Sequence, residues 1–228
     1  IRAFADALPQ SFWQWGSFNA IPRDTLPYVE VLEHVQGMTT PSTMQLLNVA
    51  VRHLDANECY MEVGTWRGAT LIGALLGNEE HGIAIDNDVM TEHNGDERSS
   101  REVWEENIER FSMGHRVEYI NGSIPAAWDH LAHRNKQQTM RLKVGVYFFD
   151  GDKSTDEAAY AGIVGALPFL ARNALIFVDD ANDTHIRKAV QQFIRDYPQH
   201  AATILDIPTP GNCWPCFWNG IMAIWWKA

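Results

Sequence analysis

Acidic residues recur where the apolar runs of this chain end. The runs at 59–63, 82–85, 144–149 and 174–178 read as strands, and each carries acid at or beside its end: Glu62, Asp86, Asp150, and the pair Asp179 and Asp180. If these strands lie parallel in an open sheet, their carboxyl ends share one edge and the acids converge along it. Asp150, Asp179 and Asp180 then offer three carboxylates from two strand ends, the donor set that a hard divalent cation such as Mg2+ prefers. Crowded together they repel one another, so either a metal or a basic side chain must sit among them. Lys153, three residues after Asp150, is the nearest basic candidate on the chain. An amine beside a metal can have its pKa lowered and serve as a general base.

A second constellation follows the first run. Residues 60–70 read Y-M-E-V-G-T-W-R-G-A-T, a strand, a turn with glycines at Gly64 and Gly68, and then a small and aliphatic run that forms a helix. Glycines let the backbone approach a ligand, and the start of the helix offers free N–H groups. The spacing Gly-x-x-x-Gly departs from the Gly-x-Gly-x-x-Gly of dinucleotide sites, so a pyrophosphate fits poorly. Asp86, at the end of the next strand, can accept hydrogen bonds from both hydroxyls of a ribose.

The elements that must position these residues are legible in outline. A helix opens at Thr40 as cap with Pro41 in its first turn and turns Met44, Leu47, Val51 and Leu54 to one face. Another spans 101–111 with Trp104, Ile108 and Phe111 inward, a strand 116–120 follows, and 88–100 reads as a long loop. The run 144–149 is almost wholly apolar, as expected of a central strand covered on both faces. Helices are expected at 155–167 and at 184–197, the latter capped by Asp183 with Ile186, Ala189, Val190, Phe193, Ile194 and Tyr197 at helical spacing. Between the last strands, 202–207 and 218–226, there is too little chain for a crossover helix, so they pair antiparallel. The expected fold is α/β: a seven-stranded, mostly parallel sheet with helices on both faces and an antiparallel final pair.

Residues 1–39 show no sustained period and are rich in aromatics and prolines, including Phe12, Trp13, Trp15 and Phe18. They read as an irregular arm before a domain at 40–228, able to pack on it, cover it as a lid, or meet a second copy in a homo-oligomer. The chain starts at Ile1, which is read as a sign that residues are missing upstream. Composition narrows the partners. With 18 Lys and Arg against 29 Asp and Glu, the formal net charge of -11 repels phosphate backbones and anionic membranes, so neither nucleic acid nor a membrane is an expected partner. The three cysteines, Cys59, Cys213 and Cys216, are too few for a disulfide framework and point to a cytoplasmic protein. Cys213 and Cys216 have Cys-x-x-Cys spacing without a second pair, which reads as a loop rather than a zinc site.

Taken together, the glycine loop, Asp86 and the antiparallel final pair resemble class I S-adenosylmethionine-dependent methyltransferases. The stretch F-F-D-G-D-K, followed after one helix by F-V-D-D, is similar to the cation-dependent O-methyltransferases of the catechol and caffeoyl-coenzyme A type and to the sugar and antibiotic-tailoring set. The resemblance implies cofactor contacts at Glu62, Gly64, Thr65, Gly68, Asp86, Ser123 and Asp150, with Ser123 near the adenine. It implies a divalent metal, Mg2+, on Asp150, Asp179 and Asp180, where Asp180 stands in place of the family's Asn. Lys153 is the implied base, and His185 the alternative that the tailoring set suggests. The implied activity is methylation of a hydroxyl on a small molecule. The competing readings are a nicotinamide-dependent oxidoreductase and a non-catalytic cofactor- or metal-binding domain of a larger chain. On the favoured reading, Asp86→Ala and Gly64→Val each weaken cofactor binding and leave the fold intact.

Overall fold

The computed structural model describes residues 4, 26–89, 98–209 and 217–228. Seven strands form one sheet in the order β3-β2-β1-β4-β5-β7-β6. They are β1 (Cys59–Val63), β2 (Gly82–Asp86), β3 (Val117–Asn121), β4 (Val144–Phe149), β5 (Leu170–Asp179), β6 (Ala201–Ile207) and β7 (Ile221–Lys227). The first five run parallel, and β7 lies between β5 and β6, antiparallel to both. The expected antiparallel closure is present, but β7 begins three residues later than the sequence suggests. Trp218 and Gly220 take φ of 49° and 85°, left-handed values that interrupt an extended run.

Among the described residues, seven α-helices cover the two faces: α1 (Leu26–His34), α2 (Pro41–Val51), α3 (Ala69–Leu75), α4 (Ser100–Arg110), α5 (Ile124–Gln137), α6 (Asp156–Gly165) and α7 (Thr184–Asp196). β4 is buried along its whole length and its side chains alternate between two cores. Val146 and Phe148 join Val31, Met44, Leu47, Leu71 and Trp104 from α1 to α4, whereas Tyr147 and Phe149 join Leu131, Ile163, Ile186 and Phe193 from α5 to α7. Strand periodicity of two thus decides which helix layer each residue meets.

Two departures from the expected architecture stand out. Residues 26–34, expected to be irregular, are helical, and Tyr28 and Val31 are buried in the first core. Phe4 reaches the same core and meets Phe177 of β5 edge-to-face at 6.1 Å. The stretch after Ser123 is α5, whose polar sequence buries only Ala127 and Leu131. Phe12, Trp13, Trp15, Phe18, Cys213 and Cys216 fall outside the described residues.

Capping chemistry follows the sequence in part. The Thr40 hydroxyl accepts the Thr43 N–H at 3.2 Å, and Ser99 forms a capping box with Glu102. Asp183 occupies the N-cap of α7 without a capping bond; its carboxylate instead accepts from the Asn219 side chain at 3.2 Å.

Candidate active site

Register places the site. Val63 of β1 pairs with Ile85 of β2 and with Phe149 of β4, and Phe149 pairs with Val178 of β5, so the residues that follow these four lie along one edge. The strand order reverses between β2 and β4 on either side of β1, and the crevice at such a switch point is where open α/β sheets bind ligands.

The glycine loop is shaped by backbone contacts. Gly64 has φ +88°, its N–H donates to the Ile85 carbonyl at 2.9 Å, and the Asp150 N–H donates to the Val63 carbonyl at 2.9 Å. A Cβ on Gly64 would run into the backbone carbonyl of Asp150. The expectation that Gly64→Val spares the fold is therefore corrected: the clash is with backbone of the neighbouring strand end, which no rotamer relieves. Gly68, at φ +87°, is the N-cap of α3 and abuts the Trp104 ring. Asn107 of α4 donates to the Arg67 carbonyl at 2.9 Å and so ties the loop to the helix layer.

Asp86 does more than close its strand. Its Oδ2 accepts the Trp66 N–H at 2.7 Å and its Oδ1 accepts the Asp88 N–H at 2.9 Å, with Trp66 and Asp88 both left-handed at φ 45° and 55°. A carboxylate oxygen has two lone pairs, so each keeps capacity for a ligand hydroxyl.

A cavity of about 480 Å3 opens here, and Gly64, Thr65, Asp86, Ser123 and Asp150 line it. Glu62 and Gly68 are not among its walls. Glu62 is fully buried behind the loop, where the Tyr60 hydroxyl donates to its Oε2 at 2.5 Å. Burial pushes the Glu62 carboxyl up to about 8, against the pull of the Tyr60 bond. Residues that the sequence did not single out also contribute: Met38, Trp66, Val89 and Ile124 give the cavity apolar walls, with Met38 and Val89 exposed at its rim. Trp66 and Ile124 lie next to the motif residues Thr65 and Ser123, the one cue the sequence offers.

The acidic half adjoins this cavity through Asp150. Asp150, Asp179 and Asp180 each present an oxygen, all within 4.8 Å of one another. One cation with ligands at about 2.0–2.6 Å spans such a separation, and all three donors are hard oxygens, so the residues fit a divalent metal. Lys153 Nζ is ion-paired with Asp150 and Asp180 and lies 4.0 Å from Asp179. Burial opposes the Lys153 charge, but the three aspartates outweigh it and hold the ammonium well above its usual range. Burial raises the Asp150 carboxyl despite Lys153, and raises Asp179 further with the help of Asp150. Asp180 sits at φ 53°, an uncommon conformation for a residue with a side chain. His185 lies in the first turn of α7, half-buried, and no hydrogen bond or ion pair among the described residues joins it to the cluster.

A family model described as a methyltransferase domain matches residues 61–181, just over half of the chain. The chain belongs to that family. With the sheet order above, it is a class I, S-adenosylmethionine-dependent methyltransferase. Solved structures of similar fold include an O-methyltransferase from Bacillus cereus in complex with SAH, at 17% identity and a TM-score of 0.63 over 94% of this methyltransferase and 96% of that one. The O-methyltransferase TomG from Streptomyces achromogenes, involved in tomaymycin synthesis and in complex with SAM, is similar at 14% identity and 0.62 over 97% and 100%. A putative caffeoyl-CoA O-methyltransferase from Staphylococcus aureus is similar at 13% and 0.58 over 92% and 94%. No curated protein sequence matches the methyltransferase. No helix among the described residues is long and apolar enough to cross a membrane.

Proposed function

We propose that the methyltransferase transfers the methyl group of S-adenosylmethionine to a hydroxyl of a small molecule, with a divalent metal, Mg2+, held by Asp150, Asp179 and Asp180. The observation that carries this reading is the position of Asp150, which lines the 480 Å3 cavity and also belongs to the three-carboxylate cluster. Methyl donor and hydroxyl acceptor thus meet at one strand end.

Asp86 holds the ribose hydroxyls, Gly64 and Thr65 give the cofactor's amino acid end access to backbone, and Ser123 and Ile124 flank the adenine. A divalent cation held by Asp150, Asp179 and Asp180 would supply the charge that orients a substrate oxygen and lowers the pKa of its proton. Lys153 Nζ is held here as an ammonium by the aspartates; were their charge taken up by a bound cation, that hold would weaken, Nζ would release its proton to solvent, and the neutral amine could then accept the hydroxyl proton. The O–CH3 bond forms as the S–CH3 bond breaks, the sulfur keeps the electron pair, and catalysis is mainly positioning and charge neutralisation. Lys153 rather than His185 is the proposed base because Lys153 alone touches the cluster.

The test is methyl transfer from radiolabelled S-adenosylmethionine to a panel of hydroxylated small molecules, with and without chelator. Activity on a hydroxyl that disappears with chelator and returns with Mg2+ is expected, while calorimetric cofactor binding persists in chelator. Transfer unaffected by chelator would overturn the metal assignment and leave the cofactor assignment standing.

A further inference from the structure

At the opposite edge of the sheet, where the strands begin, a second cavity of about 730 Å3 opens between the starts of β1, β2 and β3 and the residues leading into β4. The chain carries a formal net charge of -11, yet this cavity is walled by four cations, Arg116, Arg134, Arg141 and Lys143, against two carboxylates, Glu58 and Glu118. Both carboxylates are engaged. Glu118 pairs with Arg134, and Glu58 Oε2 accepts the Asp55 N–H at 3.1 Å. Arg116 donates to the backbone carbonyls of Leu75, Asn78 and Glu80, which fix its guanidinium but leave the charge uncompensated. The side chains of Arg141 and Lys143 are exposed and have no hydrogen bond or ion pair among the described residues; Lys143 acts on Glu58 only at longer range.

Three cations without carboxylate partners, gathered around a concavity on an acidic protein, are not what an evenly solvated surface provides. A cleft with low-dielectric walls focuses the field of such charges and concentrates anions. Guanidinium groups add geometry, because their planar fork matches the oxygens of phosphate and carboxylate groups. The same cavity has apolar surface at Val117 and Leu142, and Met140 stands 74% exposed beside them.

We propose that this cavity is a second binding site, separate from the methyl-transfer site, for a small organic anion that joins a doubly charged oxyanion group, such as a phosphate monoester, to an apolar group. Arg116, already oriented by three carbonyls, receives the anionic end. Arg141 and Lys143, which lose no existing partner, close on it, while Leu142 and Met140 cover the apolar end.

The experiment uses phenyl phosphate as probe, titrated by calorimetry into the protein saturated with S-adenosylhomocysteine so that the first cavity is filled. Binding in the millimolar range or tighter is expected, weakening as salt rises and stronger than that of inorganic phosphate. The double variant Arg141→Ala, Lys143→Ala should weaken it about tenfold or more. Both residues are exposed, so the variant should keep its denaturation midpoint, and that is checked alongside. No binding by the wild type, unchanged binding by the folded double variant, or displacement of S-adenosylhomocysteine by the probe would each overturn the second site. Equal affinity for inorganic phosphate and phenyl phosphate would overturn the apolar part of its ligand.

Discussion

Asp86 and Asp150 close the two strands that flank β1, yet they are neutralised by different means. Asp86 accepts backbone N–H groups from Trp66 and Asp88, donors fixed by the chain itself. Asp150 and its neighbours Asp179 and Asp180 lean on one side-chain cation, Lys153. A carboxylate already stabilised by amides has less to gain from an added cation. A partly buried cluster of three carboxylates that leans on a single ammonium gains from a further cation. The cofactor half is thus built by backbone geometry and the acidic half by exchangeable charge, and the two meet where Gly64 touches the Asp150 carbonyl.

That meeting point predicts the largest effect. Gly64→Val adds strain at a left-handed φ to a clash with backbone, together costing ~4 kcal/mol or more. Because the obstacle is the Asp150 carbonyl, both halves should fail together: lower denaturation midpoint, lost S-adenosylmethionine affinity and lost metal affinity. A variant that loses cofactor binding while retaining stability and metal affinity would break the claim that the halves share this backbone contact.

Lys153→Ala should separate the halves. Its side chain is 13% exposed, and its removal leaves three partly exposed carboxylates without their ammonium, a loss that solvent screening keeps below the ~3–5 kcal/mol of a fully buried pair. Added Mg2+ should restore most of that stability, and S-adenosylmethionine affinity should change little. Denaturation with and without Mg2+ decides it. Equal stability of variant and wild type in chelator would mean that Lys153 is not the counter-charge.

For the cofactor half the expected effect is smaller. Asp86→Ala removes a charged acceptor and should weaken S-adenosylmethionine binding by about 1.5–3 kcal/mol, read by calorimetry. Since Trp66 and Asp88 lose their acceptor too, some of the loss will appear as reduced loop stability. Mg2+ should have no influence on it, in contrast with Lys153→Ala.

The difference between the halves also explains what the sequence shows. The parallel strands were legible because their burial on both faces makes them continuous apolar runs, as in V-G-V-Y-F-F, and an acid directly after such a run falls on the ligand-binding edge. The alignment of these acids along one edge of the sheet could therefore be read from the chain alone. Helix α5 could not, because only Ala127 and Leu131 mark its inner face among charged residues, and α1 buries too little to show a period. Backbone donors are equally silent: that Trp66 N–H serves Asp86 depends on a left-handed turn whose side chain gives no cue. The burial of Glu62 was hidden for a related reason. Its place in the motif suggests a ligand contact, but strand alternation turns it beneath the loop, with Tyr60.

Glu62 supplies the finest test of the comparison, since it is an acid of the cofactor half that no cation offsets. It is fully buried, and burial lifts its pKa from 4.5 to about 8. Between those values the folded protein keeps a proton that the unfolded chain gives up. The contribution to stability is complete below 4.5 and is lost as pH rises toward 8, with a slope approaching ~1.4 kcal/mol per pH unit. Glu62→Gln cannot ionise and keeps an oxygen to accept from Tyr60. Its stability should fall less steeply with pH than that of the wild type across this window. Asp150 and Asp179, also raised by burial, titrate in both proteins, so the difference between the two denaturation curves reports Glu62 together with its coupling to Asp150. Curves that run parallel from pH 5 to 8 would show that Glu62 is already ionised in the folded state, and the cofactor half would then need a counter-charge of its own.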